Sequence, residues 1–264
     1  MKLKTVHYFD MRLGTGGLQA IYLDREANRL RPDLSFVHED PRWGFEINEI
    51  GFKGDALDPE RKLAVVWGDS VVFGVGAGWP ALLDRFVDGY QFLNGGIEGD
   101  HYENILARAI KFNSEHPVAL NVILLGWHNI ESNVGVADNL LAAISQIPCA
   151  VLVTMPTALN RSLGDISDKF VSTADWLTDG FYFQEAEEYS IAWQQRRLDH
   201  IMERNQIVRD VAKIAGVPLI DLFAALDTEN ASDFRADFFD IYHPRSNAYS
   251  KIARVIAEGL KPES

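Results

Sequence analysis

The sequence holds a single cysteine, Cys149. No intrachain disulfide can form, and a zinc site built on cysteines is excluded. No run of about 18 apolar residues occurs, so no transmembrane helix is expected. Positive charge is scarce: 25 Lys and Arg stand against 38 Asp and Glu, a formal net charge of -13. That balance disfavours sequence-independent binding to DNA or RNA, which needs cations against phosphate. It equally disfavours docking on anionic membranes. The first ten residues, Met1 to Asp10, carry two lysines with no apolar segment behind them. This is not the pattern of a secretory signal, and the expectation is a soluble, cytoplasmic chain. Internal repeats and low-complexity tracts are also missing. What is present is the composition of a globular protein, 47% hydrophobic and 24% charged over 264 residues. A chain of that length buries a full core without covalent staples.

From residue 62 onward, short apolar runs alternate with amphipathic stretches. Leu63–Trp67, Gln91–Leu93, Val118–Leu125, Ala150–Thr154 and Val217–Ile220 read as strands. Their continuous apolar character suits strands covered on both faces. Between them, Tyr102, Ile105, Leu106, Ala109 and Ile110 follow helical spacing, with Asp100 as the expected N-cap and Glu103 as its capping partner. Leu198, Ile201, Val208, Val211 and Ala215 mark a long helix that Gly216 can end, and Tyr249, Ile252, Ala253 and Ile256 mark the last. Alternating strands and helices imply a parallel sheet, with ligands outside the carboxyl ends of the strands. Residues 1–61 stand outside this repeat. Their strand-like pieces, Thr5–Phe9, Leu18–Leu23 and Trp43–Phe52, suggest an extension packing on the core. The connection Pro156–Glu185, with Trp176, Phe181, Tyr182 and Phe183, reads either as a substrate-facing lid or as a packed flank.

The chemistry-bearing residues fall where the strands end. Gly68-Asp69-Ser70 follows the first strand, and Ser70 there is either an exposed nucleophile or an ordinary turn residue. Asn94-Gly95-Gly96-Ile97-Glu98-Gly99-Asp100 follows the second, as a ligand-approaching or merely flexible loop. Gly126-Trp127-His128-Asn129 follows the third, where Asn129 is an oxyanion donor or a helix cap. Near the end, Asp240-Ile241-Tyr242-His243-Pro244 places a carboxylate three residues before an imidazole, as an orienting pair or a local surface contact.

Taken together, these blocks in this order resemble the SGNH, or GDSL-like, hydrolase superfamily, over about residues 62–260. Asn48-Glu49-Ile50-Gly51-Phe52-Lys53-Gly54 is similar to the lead-in of one bacterial branch with an N-terminal extension. The resemblance implies a flavodoxin-like three-layer α/β/α sandwich with a central parallel sheet, as an extension over 1–61 and a hydrolase-like domain over 62–264. It implies a serine esterase working through an acyl-serine intermediate. Ser70 would be the nucleophile, His243 the general base and acid, and Asp240 the orienting carboxylate. The oxyanion hole would use the N–H groups of Ser70 and Gly99 and the amide of Asn129. The third block departs from the family's Gly-x-Asn-Asp, so His128 competes with Asn129 for the last donor position. Trp127, His128 and Asp100 are candidates for the substrate pocket. No cofactor is implied. No set of His, Cys, Asp and Glu has metal-ligand spacing. The expected substrate is a small-molecule or carbohydrate ester. An O-acyltransferase using the same triad, or a non-catalytic binding protein on the same fold, are the alternatives. Cys149 is expected to be inert packing.

Overall fold

The computed structural model describes residues 4–7, 22–24, 26–37, 44–74, 76–158, 173–175, 180–182, 191–226, 237–238 and 242–261. Among the described residues, five short strands precede residue 62: β1 (Lys4–His7), β2 (Leu23–Asp24), β3 (Arg29–Leu30), β4 (Leu34–Val37) and β5 (Phe45–Ile47). Strands β1, β4 and β5 form one small sheet, and β2 pairs with β3.

The Val- and Leu-rich runs beyond residue 62 become β6 (Lys62–Gly68), β7 (Tyr90–Gly96), β8 (Leu120–Leu124) and β9 (Ala150–Val153). A separate two-stranded antiparallel pair follows, β10 (Thr173–Asp175) and β11 (Gly180–Tyr182), and then β12 (Leu219–Ile220). The central sheet has the order β7-β6-β8-β9-β12, and every pairing is parallel. Numbered by appearance this is 2-1-3-4-5, the doubly wound flavodoxin-like order whose switch point lies between β6 and β8.

Side chains alternate across that sheet, as pleating requires. Ala64 and Val66 of β6 pack with Val122, Leu124, Val151 and Val153 on one face. That face is covered by Ile252 and Ile256 of the last helix, α6 (Tyr249–Gly259), and by Trp79 of the 3-10 turn Trp79–Arg85. Val65 and Trp67 lie on the other face with Ile123 and Leu152. There they meet α2 (Tyr102–Glu115), α3 (Val136–Ile144) and the second half of α4 (Ile191–Ala215). Three layers result, as the resemblance implied. Two further short helices among the described residues are α1 (Ser70–Phe73) and α5 (Leu222–Ala225).

Three local expectations change. Asn94, Gly95 and Gly96, read as loop, belong to β7. A Cβ on Gly96 would lie 2.2 Å from the backbone nitrogen of Phe73, so α1 can sit on this strand only because the strand carries glycine there. The N-cap of α2 is His101, not Asp100. Cys149 is exposed, at a positive φ of 48° just ahead of β9, instead of inside the strand.

Lys53 links β5 to β7. It bridges Ile47 on one side and Asn94 of the edge strand β7 on the other. The residue is 1% exposed, and its Nζ donates to the carbonyls of Phe73 (2.7 Å) and Gly74 (3.2 Å). Burial lowers the Lys53 pKa from 10.5 to about 7, and the nearby charge of Glu98 opposes the shift. An uncharged amine keeps two N–H donors, enough for both carbonyls. Between those two pH values the unfolded chain binds more protons at this site, so Lys53 makes stability rise with pH from about 7 to 10.5. Lys53→Met should flatten that rise, read as urea midpoints of the variant and the parent at pH 7 and pH 10.

Candidate active site

Strand β6 ends at Gly68, and the chain turns directly into α1. Asp69 caps this helix: its Oδ1 accepts from the Val71 N–H at 2.9 Å. Its Oδ2 accepts from the Trp127 N–H at 2.6 Å, in the turn after β8. One carboxylate therefore holds together the two loops that flank the switch point. Gly126 makes the approach possible, since a Cβ there would lie 2.5 Å from Oδ2 of Asp69, and its φ is +79°. Asp69 has no solvent exposure. Burial, the largest influence, raises its pKa; the N–H groups of Trp127 and Val71 and the charges of His128 and His243 work the other way.

Ser70 is the first residue of α1, so its own N–H is one of the donors a helix start leaves unpaired. Its Oγ lies 2.8 Å from Nε2 of His243. That imidazole comes from 173 residues further along the chain. The loop carrying it is closed at its base. Phe238 and Pro244 form an antiparallel bridge, and the Arg245 N–H donates to the Asp237 carbonyl at 2.7 Å. Asp237 gives its carboxylate to Lys251 at 2.7 Å. Asp240 lies outside the described residues.

The turn after β7 supplies Gly99. Asp100 N–H donates to the Ile97 carbonyl at 3.3 Å, and Gly99, third in this turn, has a φ of +73°. Such a turn needs glycine at that position. The Gly99 N–H has no partner among the described residues, while Ile97 N–H is tied to Gly68 at 3.1 Å. Asp100, a pocket candidate, is buried, and its Oδ2 is 2.6 Å from Nη2 of Arg108. Arg108 also donates to the carbonyls of Gly95 (2.7 Å) and Gly68 (3.3 Å). Asp100 is thus a brace beneath the loop, with one oxygen also accepting from the His101 N–H.

The third block forms a bridge to the second. His101 and His128 are paired as a parallel bridge, with rings stacked at 5.9 Å. Asn129 adopts a left-handed φ of 60°, and its Nδ2 is 2.5 Å from Nδ1 of His101. Its carbonyl accepts from Arg204 at 3.0 Å. Trp127 is 6% exposed, and its ring is 4.4 Å from that of Tyr242, the neighbour of His243. Of the expected pocket residues, Trp127 packs beside the imidazole loop, and His128 is exposed. Among the described residues no group of three His, Cys, Asp or Glu side chains is placed to hold a metal. No helix among them is long and apolar enough to cross a membrane.

The sequence reading missed Tyr22, Lys53, Arg108 and Arg204, all of which act on these loops. The only signal was the lead-in Asn48 to Gly54, which contains Lys53. A cavity of about 210 Å³ lies apart from Ser70 and His243, between residues 27–30, residues 49–52 and α2.

A serine at the end of the first central strand and a histidine near the last helix meet at hydrogen-bond distance, in a 2-1-3-4-5 sheet. Several solved structures share this fold. The lipase/acylhydrolase from Enterococcus faecalis superposes with a TM-score of 0.53 at 19% identity, over 77% of this chain and 99% of that one. A lipolytic protein of the G-D-S-L family from Veillonella parvula gives 0.53 at 16% identity, over 76% and 100%. A catalytic mutant of Axe2, an acetylxylan esterase from Geobacillus stearothermophilus, gives 0.52 at 16%, over 78% and 97%. The chain has the SGNH hydrolase fold. No protein-family model matches the sequence, and no curated protein does. In this SGNH fold Asp69 is the joint between the first and third blocks. Asp69→Asn leaves one acceptor for two buried N–H groups and turns an N–H₂ toward the other. The expected loss is about 1–3 kcal/mol of stability, read by urea unfolding.

Proposed function

We propose that the protein is a serine ester hydrolase acting on a small-molecule or carbohydrate ester. The observation that carries this reading is the 2.8 Å contact between Ser70 Oγ and His243 Nε2. A serine hydroxyl is a weak nucleophile until a neighbouring base takes its proton, and the imidazole is in reach of that proton. His243 removes the proton from Oγ as Oγ attacks the ester carbonyl carbon. Asp240 holds the imidazolium that results. The carbonyl oxygen becomes an oxyanion, met by the N–H groups of Ser70 and Gly99. Asn129 is the third donor: one N–H of its amide goes to His101, leaving the second for the oxyanion. His128, whose charge bears on Asp69 beside Ser70, is the rival for that place. His243 then protonates the leaving alcohol. In the second half, water loses a proton to His243 and attacks the acyl-serine, and Ser70 leaves with that proton.

The fold supports this reading as an analogy, because unrelated activities share folds. The residues of the site support it independently. Fold neighbours include an acetylxylan esterase, which favours an acylated carbohydrate as the first substrate to try.

Ser70→Ala should remove hydrolysis of p-nitrophenyl acetate, a loss of about 10³-fold or more, without shifting the unfolding temperature. Activity at the parent's level would overturn the assignment. The pH profile should rise as His243 loses its proton, since only the neutral ring accepts the Oγ proton. A flat profile from pH 5 to 8 would remove His243 from the role of base.

A further inference from the structure

Tyr22, Phe45 and Lys53 lie before residue 62, yet all three contact Phe73 at the end of α1, and Tyr22 also reaches the turn that follows β7. The Tyr22 ring stacks on Phe73 at 5.5 Å, and Phe45 meets Phe73 edge-on at 5.6 Å. Lys53 Nζ stands 3.6 Å from the centre of the Phe73 ring. Phe73 is the last residue of α1, whose first residue is Ser70. The carbonyls at that end, of Phe73 and Gly74, accept from Lys53 Nζ, and Phe73 also accepts from Asn94 Nδ2 at 3.0 Å. A four-residue helix has too few internal bonds to fix its own direction. Its direction is set by what holds its ends: Asp69 at the start and Lys53 at the finish.

The second grip falls on the oxyanion turn. The Tyr22 hydroxyl donates to Oε2 of Glu98. Burial, the largest influence, raises the Tyr22 pKa, so the hydroxyl keeps its proton and donates. Glu98 and Gly99 share one peptide group, and that group carries the Gly99 N–H. Anchoring the Glu98 side chain therefore fixes the tilt of the peptide whose N–H faces the oxyanion. Pairs this far apart in sequence, 76 residues for Tyr22 and Glu98, do not form by local preference.

We propose that Tyr22 and Lys53 are positioning residues for ester cleavage at Ser70, Tyr22 through Glu98 and the Gly99 peptide, Lys53 through the carboxyl end of α1. The proposal rests on the esterase reading above. The segment before residue 62 is then a working part of the site, and catalysis needs it docked.

The test compares the full-length parent with Tyr22→Phe, Glu98→Ala, their double variant and Lys53→Met. Tyr22→Phe keeps the ring on Phe73 and loses only the hydroxyl. With p-nitrophenyl acetate, Tyr22→Phe and Glu98→Ala should each lower kcat by about tenfold while KM stays within about twofold, because the oxyanion exists only in the transition state. The double variant should be no slower than the slower single variant, since both remove one hydrogen bond. Lys53→Met should slow fluorophosphonate labelling of Ser70 by a similar factor. Far-UV circular dichroism confirms that each variant is folded at the assay temperature. If Lys53→Met does not fold, the Tyr22 and Glu98 variants decide. Unchanged kcat in Tyr22→Phe and Glu98→Ala, with an active parent, overturns the proposal alone. So do multiplicative losses in the double variant. A parent that neither hydrolyses the ester nor takes the fluorophosphonate on Ser70 overturns the esterase reading, and the proposal with it.

Discussion

The site depends on one buried carboxylate. Asp69 has no contact with water, and a carboxylate there is tolerated only if donors replace the lost hydration. The donors are the N–H groups of Val71 and Trp127. They belong to different loops, one after β6 and one after β8. Satisfying this one side chain therefore fixes two loops against each other, across the point where the strand order reverses. The rest follows from that joint. Gly126 must lack a side chain for the carboxylate to enter. Ser70 leaves the turn as the first residue of α1, and His243 is brought to it from a loop closed by its own bridge and by Lys251. A carboxylate is suited to this place because it accepts from two directions at once, where a neutral amide of the same shape accepts from one.

How much of this the chain announces depends on distance along it. The five central strands are legible from their continuous apolar runs, and Gly68-Asp69-Ser70 is legible because it abuts one of them. Ser70 and His243 could be named because each sits in a short, ordered block. Asp100 misled for a physical reason. An Asp just before an amphipathic helix satisfies the capping pattern, but Arg108 lies eight residues on and reaches back to claim it. A charge-assisted pair with a nearly buried guanidinium outweighs a capping bond that water could also supply. Cys149 misled similarly, because an apolar run directly after it hid a turn with positive φ. Tyr22 and Glu98 were illegible altogether: nothing at either residue points to the other, and only the docked N-terminal strands bring them together.

Charge is the last constraint. The chain carries a net charge of -13, while the proposed transition state is itself anionic. Bulk attraction cannot help, so positive potential must come from groups fixed near the site. Three basic side chains hold the loops there, with burial lowering the Lys53 pKa to about 7 and Asp100 pairing with Arg108. Lys53 donates to the carbonyls of Phe73 and Gly74, Arg108 to those of Gly95 and Gly68, and Arg204 to those of Asn129 and Ser132. They serve the segments that follow or end β6, β7 and β8 in turn. Lys53 and Arg204 are essentially without solvent exposure, and the Arg108 side chain keeps only 10%. Charges so placed are screened little by salt and act over longer distances than surface charges do. An acidic surface and the proposed anionic transition state are compatible because these basic side chains lie buried behind the loops, bound by backbone carbonyls.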